Sequence, residues 1–595
     1  MMLRPILASL ALVALALGAS AAPLPKTLHV AFDAAETGFD PPQIGDLYST
    51  RVAAHIFESL VQYDHLARPV KIKPLTAAAM PEASADYRTW TVRLTPGIYF
   101  ADDPAFKGIK RELVAEDYVY SIERYADPAL KSPLWNGIED LGIRGLVALR
   151  LRAIEGKRPF AYERPIEGLR ALDRYTLQIR VDAARPRLLE TLAVLPAVAR
   201  EVVEAYGRAI GEHPVGTGPF KLGAWRRSSL IVLDRNPDFR AVAYDAEPAP
   251  DDVEGQALLA HFKGHRLPMI DRVEIAIIEE SQPMWLSFLD GKLDQLTVPG
   301  DFASLAMPAG RLAPYVERRG IRAHVTLTPG VSYMYFNMEH PLVGGYSAEK
   351  IALRRAVALG MNVRRQIDLL RGGQALVAQS PIAAQLSGYD PAFRSEMGEY
   401  DPAKAKALLD TYGYLDRNGD GWRELPDGKP LVLEVASETD QLSRRYDELM
   451  QRDMDAIGLR VAFKPAQWPE NAKAARAGKL MMWLLGYYAT APDGLQALVR
   501  LYGPASGGLN ASRFKLPAMD ALYERLLALP DGPERMALFD DAKRLAVAYM
   551  PEKTMVHRIT TDLTQPWLVG YRRPLFWSYW YHMVDIENAS SVGHR

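Results

Sequence analysis

Cysteine is absent from all 595 residues. Its absence excludes disulfides, thiolate metal sites and a cysteine nucleophile. It also removes the residue on which an N-terminal lipid anchor would be built, so the expectation is an exported chain free in the periplasm. An excess of charge of either sign is missing too: 71 Lys plus Arg stand against 72 Asp plus Glu. That balance gives no electrostatic case for binding nucleic acid or an anionic membrane surface. Histidine is sparse, and the 11 present are scattered. His261 and His265 stand four apart but have no evident third ligand, so a surface role is expected of them. There is no Gly-x-Ser-x-Gly elbow, no phosphate-cradling glycine loop, no dinucleotide fingerprint, and no repeat of solenoid period.

What is present begins with an N-terminal address. Arg4 supplies a short positive region, residues 6–17 form an apolar core, and Ala19-Ser20-Ala21 makes a small-x-small cleavage site. The run is shorter than the roughly 20 apolar residues of a membrane span. It reads as a signal peptide over 1–21. Beyond it, alternating stretches such as 26–32 (KTLHVAF), 88–94 (RTWTVRL), 174–181 (RYTLQIRV) and 272–279 (RVEIAIIE) predict strands. Between them lie helical patterns at 50–60, 114–125, 348–361, 402–412, 441–457, 519–529 and 534–548. Strands alternating with helices predict an α/β fold with mixed sheets, and the length predicts two or three lobes. The acidic, proline-rich stretch 246–255 reads as an exposed insertion.

Five motifs in order then carry a resemblance. They are Trp90 to Phe100 (WTVRLTPGIYF); Ala115-Glu116-Asp117 with Tyr120 to Arg124; Gly216-Thr217-Gly218-Pro219-Phe220 with Trp225 and Asp234 to Asp238; Asn337 with Leu353 to Ala356 and Met361-Asn362; and Tyr400-Asp401-Pro402 with Gly413-Tyr414. Together they resemble the family 5 extracellular solute-binding proteins, the receptors of oligopeptide, dipeptide and nickel importers. The resemblance implies a two-lobed periplasmic binding protein fold of type II, with an extra domain in the first lobe and a two-strand hinge. It implies a first lobe from 22–60, 201–277 and 556–595, an extra subdomain over 61–200, and a second lobe over 278–555. The crossings are expected near 275–279 and 553–561. The implied function is capture of an oligopeptide or similar solute by lobe closure, and delivery to an inner-membrane ABC permease. The implied protein is a monomer, is not an enzyme and does not bind nucleic acid. The competing functions are a periplasmic hydrolase, for which no local nucleophile–base or paired-carboxylate arrangement is visible, and a chaperone-like holding protein.

The candidate ligand residues follow from aromatic chemistry and from the family pattern. Trp468, Trp483, Tyr487 and Tyr488 cluster in one stretch, and flat aromatic faces suit a varied ligand. Trp483 alternates within an apolar strand and reads as core, whereas Tyr487 and Trp468 match cavity positions. Peptide-binding relatives place an aspartate just after the aromatic to pair with the peptide ammonium. Here that position is Thr490 or, with a different gap, Tyr488, and Asp493 comes too late in the loop unless the loop is rebuilt. A blocked peptide, a sugar or an opine-like conjugate is therefore open as ligand beside a free peptide. Tyr48 is placed facing the cleft, and Tyr335 joins the candidates from the aromatic face of Tyr333, Tyr335 and Phe336, which otherwise reads as core. Asp416, Asn418 and Asp420, with Asp427 at position twelve, resemble the start of a calcium loop, hence a possible structural calcium; the alternative is a hydrogen-bonded turn. Arg354-Arg355, Arg364-Arg365 and Arg226-Arg227 read as solvated or internal salt-bridge formers.

Overall fold

The computed structural model describes residues 25–587, so the signal-peptide segment lies outside the described residues. Three sheets organise the chain. In the first, Thr27–Phe32 pairs in parallel with Arg272–Ile277; Leu230–Arg235 and then Phe220–Arg226 follow antiparallel. Alternation along the first strand buries Leu28, Val30 and Phe32. They pack with Val52 and Ile56 of the helix Leu47–Ile56 and with Ile231, Leu233, Val273 and Ile275. Asp46 caps that helix by accepting from the Ser49 amide at 2.7 Å.

The glycine motif before Phe220 has a steric cause. A Cβ on Gly216 would lie 2.0 Å from the carbonyl oxygen of Ile56. Thr217 between the glycines donates to Glu58 at 2.8 Å, and Glu58 also receives Arg240 at 2.7 Å. Asn236, of the downstream part of the motif, donates to the Gly218 carbonyl at 2.9 Å. These residues therefore serve the fold, holding the first sheet to the end of its covering helix.

The second sheet has four strands, in the order Glu82–Ala83, Thr89–Arg93, Thr176–Arg180, Leu169–Asp173. Trp90, Val92, Leu177 and Ile179 of this sheet pack with Tyr118, Ile122 and Tyr125 of the helix Ala115–Ala126. Arg124 on that helix makes a buried fork with Asp40 of the first sheet's loop, at 2.7 and 2.9 Å. The pair fixes the second sheet's unit to the first.

The third sheet has seven strands, and two of them are long. Arg322–Phe336 and Glu552–Thr564 pair antiparallel, with register shifts between Leu327 and Val331 and between Ser332 and Tyr333. Their lower halves join Gln295–Thr297. Their upper halves join Met482–Tyr488, which leads to Val432–Ser437 and Arg460–Pro465. Met334, Phe336, Met482, Leu433 and Val435 face helices Ala348–Gly360 and Gln441–Asp455 through Leu353, Val357, Met450 and Met454.

The chain leaves the first sheet later than the crossing expected near 275–279. The Ile278 amide donates to the Phe32 carbonyl at 2.8 Å, and Asp294 exchanges bonds with the His29 backbone at 2.6 and 2.8 Å. The helix Ser281–Leu289 and Leu296 form a core that takes in Ala31. The passage upward is made by the two long strands. The stretch expected as an exposed insertion is also docked: Tyr244, Ala246 and Phe262 pack with Leu66 and Met583, and Asp252 caps the helix Val253–Phe262 while binding Arg572. The apolar residues alternate with acids there, so composition alone hid the buried face. His261 meets Glu587 at 2.9 Å on the surface.

Two outcomes are expected. Asp40→Ala leaves Arg124 buried without its counter-charge and should cost about 3–5 kcal/mol, read as a fall in Tm. Glu123, 3% exposed, has its carboxyl pushed up from 4.5 to about 8 by burial and by Glu116. A raised folded value means this group destabilises the fold as pH rises from 4.5 to about 8. Glu123→Gln should therefore raise Tm, with a gain that widens across that interval in a pH series of thermal melts.

Candidate ligand-binding cleft

The strands Val432–Ser437, Arg460–Pro465 and Met482–Tyr488 run parallel, so their carboxyl ends share one edge of the third sheet. Loops from such ends are where open α/β sheets gather ligand groups. Here they deliver Glu438, Trp468 and the stretch 489–493, beside the irregular Thr328-Pro329-Gly330 of the long strand. Met482–Tyr488 pairs with Val432–Ser437 only at Met482 and Trp483. From Leu484 to Tyr488 no strand among the described residues takes up that side. An open edge of this kind offers backbone N–H and C=O groups to an extended partner.

Side chains alternate across that strand, which sends Tyr487 and Tyr488 to opposite faces. Tyr487 lies with Tyr333 against Arg500, whose guanidinium carbon is 4.9 and 4.7 Å from the two ring centres. Arg500 is itself held by Glu552 at 2.9 and 3.3 Å. The Tyr487 hydroxyl and the Thr490 hydroxyl both reach Gln496 at 3.2 Å. Thr490 is exposed, and no acid replaces the missing family aspartate at that position. Tyr488, on the other face, is 41% exposed beside Gly330 and Arg558.

Trp468 opens the helix Trp468–Arg476 and is 57% exposed, its ring 6.4 Å from that of Trp483. Trp483 is buried and donates from Nε1 to Glu438 at 2.9 Å. Tyr48 packs on Phe32 at 4.7 Å and turns its hydroxyl to Asp33 at the end of the first strand. A cavity of about 410 Å³ lies beside the strand ends, lined by Met334, Leu484, Met450, Ser437, Glu438 and Asp447. Burial pushes the Asp447 carboxyl up to about 6.

Two expected ligand residues are withdrawn by their surroundings. Tyr335 is 1% exposed in the core between the third sheet and its covering helices, so its ring has no face to offer. Asp493 is 3% exposed, and its carboxylate is spent within the protein. Arg535 grips it at 2.9 and 2.8 Å, the Leu495 amide donates to it at 3.0 Å, and Arg187 Nε approaches to 2.6 Å. Sequence order put Asp493 near the aromatic, but the helix Pro533–Tyr549 that brings Arg535 was invisible at that distance.

In the acidic loop, Asp416 accepts from the Gly419 and Gly421 amides at 2.7 and 2.9 Å, and Asn418 from the Asp420 amide at 2.8 Å. Asp416, Asp420 and Glu424 bring one oxygen each within 4.8 Å of one another. Asp427 instead pairs with Lys429 at 2.7 Å. The oxygens are thus engaged by the loop's own amides in a hydrogen-bonded turn. Arg354 is buried against the carbonyls of Val343, Gly345 and Tyr549, and Arg355 forks onto Glu396 at 2.6 and 2.8 Å.

Several site residues have no local signal in the sequence. Arg187, Arg371, Arg500 and Arg558 come from four separate segments, and only the sheet register brings the last three to the same strands.

Two sheet-bearing regions joined by a pair of long strands, with strand-end loops and an open edge beside the junction, define a two-lobed binding protein. The chain belongs to the bacterial extracellular solute-binding proteins, family 5, whose middle-region model matches residues 71–508. It is 26% identical to di/tripeptide-binding protein 2 of Pseudomonas aeruginosa, over 95% of this chain and 96% of that one. It is 22% identical to heme-binding protein A of Haemophilus influenzae, over 93% and 91%. The solved periplasmic binding protein DppA of Helicobacter pylori, in complex with the peptide STSA, superposes with a TM-score of 0.68 at 21% identity, covering 94% of this chain and 98% of that one. The fold is therefore the two-lobed one of the family, which consists of binding proteins. No helix among the described residues is long and apolar enough to cross a membrane.

Asp493→Ala should lower Tm through about 3–5 kcal/mol of lost stability, because Arg535 and Arg187 would remain buried without it. A ligand-pairing role would instead leave Tm unchanged and weaken binding alone; calorimetric melting of the ligand-free variant separates the two.

Proposed function

We propose that this chain is the periplasmic substrate-binding component of an ABC importer, taking up a short peptide by closure of its lobes. The observation that carries the reading is the open edge at 484–488. It lies at the junction of the lobes, and aromatic residues flank it on both sides of the strand. Main-chain pairing along such an edge binds any peptide sequence alike, while flanking aromatics tolerate varied side chains. Family membership and the di/tripeptide-binding relative support the same ligand class. The mature protein acts as a monomer, released by cleavage near Ala21, and hands its closed form to an inner-membrane permease.

Closure has a named contact. Arg187, just before the short helix Leu188–Leu192 of the second sheet's unit, reaches Asp493 and Asp531 of the opposite region and also Glu190 at 2.6 Å. Burial and the Asp493 charge push the Glu190 carboxyl up to about 7. Such a bridge favours the closed state only to the extent that it is absent from the open one.

The test is mass spectrometry of what co-purifies from a periplasmic extract, followed by calorimetric titration of the stripped protein with di-, tri- and tetrapeptides. Peptides in the extract and saturable binding in titration are expected; a single non-peptide compound would reject the ligand class while keeping the receptor. Arg187→Ala should weaken peptide binding roughly 3- to 30-fold by removing closed-state contacts. It should also enlarge the radius of gyration of the liganded protein in small-angle scattering; equal affinity and radius would reject the latch.

A further inference from the structure

Two arginines at the junction have no acid to pair with. Arg558 lies on the long strand Glu552–Thr564, and Arg371 follows the helix Val363–Leu370. Among the described residues neither makes a salt bridge, although other arginines of the cleft region do: Arg500 with Glu552, Arg535 with Asp493, Arg573 with Asp562. Both guanidiniums converge instead on one neutral hydroxyl. Arg558 Nε and Nη2 donate to Ser332 Oγ at 3.2 and 3.1 Å, and Arg371 Nη2 donates to the same atom at 3.0 Å. A hydroxyl oxygen has fewer lone pairs than these groups have N–H donors, so most donors on both arginines are left over. Two like charges at one hydroxyl also repel, and burial with the Arg371 charge pulls the Arg558 value down. Tyr446 adds only a ring, 5.8 Å from Arg371.

The backbone around the pair is cleared to admit it. A Cβ on Gly486 would lie 2.3 Å from Arg558 Nη2, and one on Gly330 would lie 3.3 Å from Arg558 Cδ. These glycines sit on neighbouring strands, with Gly330 opposite Tyr488 and Ser332 opposite Gly486. The Arg558 side chain therefore crosses the intervening strand and ends over Gly486, inside the open edge at 484–488. Both arginines are half-exposed, so an incoming group can reach them. The nearby acid Glu438 is engaged with the Trp483 indole, not with either guanidinium.

We infer that Arg558 and Arg371 form the seat for a carboxylate of the bound peptide, with Ser332 holding the two guanidiniums in register. This rests on the peptide-receptor reading above and adds to it the charge the ligand must carry. A carboxylate accepts forked bonds from guanidinium groups and supplies the missing counter-charge at once. The basic pair also fits the lack of an acid at Thr490: the charged anchor here is for the ligand's anionic group rather than its ammonium.

The experiment is calorimetric titration of the mature protein with three probes: Ala-Ala-Ala, its C-terminal amide, and Ala-Asp-Ala amide. The free acid is expected to bind roughly 10- to 100-fold tighter than the simple amide, the range of hydrogen bonds to charged groups. Recovery of affinity by the Ala-Asp-Ala amide would show that a side-chain carboxylate takes the same seat; no recovery would assign it to the terminus. In Arg558→Met the acid-to-amide ratio should fall below about 3-fold, with Tm unchanged or raised because a like-charge contact is gone. Gly486→Ala should lower the ratio in the same way while keeping both charges, which guards against a variant that fails to fold. Equal affinity of acid and amide in the wild type, or an unchanged ratio in both variants, would overturn the carboxylate seat and leave the peptide receptor standing. Failure of the wild type to bind any probe would overturn both.

Discussion

The backbone ladder between Arg322–Phe336 and Glu552–Thr564 is the constraint on which the rest depends. These strands are the physical continuity between the two lobes. Their lower halves carry Gln295–Thr297 against the first sheet, and their upper halves carry Met482–Tyr488. The break in register at Thr328-Pro329-Gly330 falls between those halves. A bulge bends a strand and increases its twist. The aromatic strand, the open edge and the two unpaired arginines are all positioned by that one discontinuity.

The lobes are stabilised in different ways around it. Within each, alternating apolar strands meet amphipathic helices, and the buried charges are paired, as Arg124 with Asp40 and Arg500 with Glu552. Between them, contact is made by a few long side chains from loops: Arg187 reaching Asp493, and Arg573 reaching Asp562 below the bulge. A packed interior does not come apart in parts, whereas a small number of ion contacts exchange readily with water. The division fits a molecule whose halves stay rigid while their spacing varies.

Much of the fold was legible because its signals are local. Alternation at 26–32 and 272–279 marked the strands of the first sheet, and capping residues such as Asp401 and Asn362 stand at helix starts that the motifs contained. The family motifs proved largely to be packing devices, as Gly216 and Asn236 illustrate. The site was legible only in part. The aromatics at Trp468, Tyr487 and Tyr488 do gather at one sheet edge, but periodicity could not say that Tyr335 would be enclosed or that Asp493 would be claimed by Arg535. Nor could it reveal Arg371 and Arg558, whose meeting at Ser332 depends on a register set by residues more than 200 positions apart in sequence. The late departure from the first sheet was missed for the same reason: the Asp294 contact to His29 spans 265 positions.

The short stretch from Tyr487 to Asp493 serves two purposes at once. Its first residues border the open edge, and its last is the anchor for Arg187 from across the junction. Recognition and closure are thereby written on the same seven or so residues of chain. A change of loop length here, such as separates this chain from relatives with an acid at the Thr490 position, alters the resting balance of open and closed forms together with the ligand preference. Apparent affinity scales with the fraction of molecules already competent to bind. Receptors of this build can therefore drift in strength and in selectivity through a single loop, and a difference in affinity between two of them need not reside in any atom that touches the ligand.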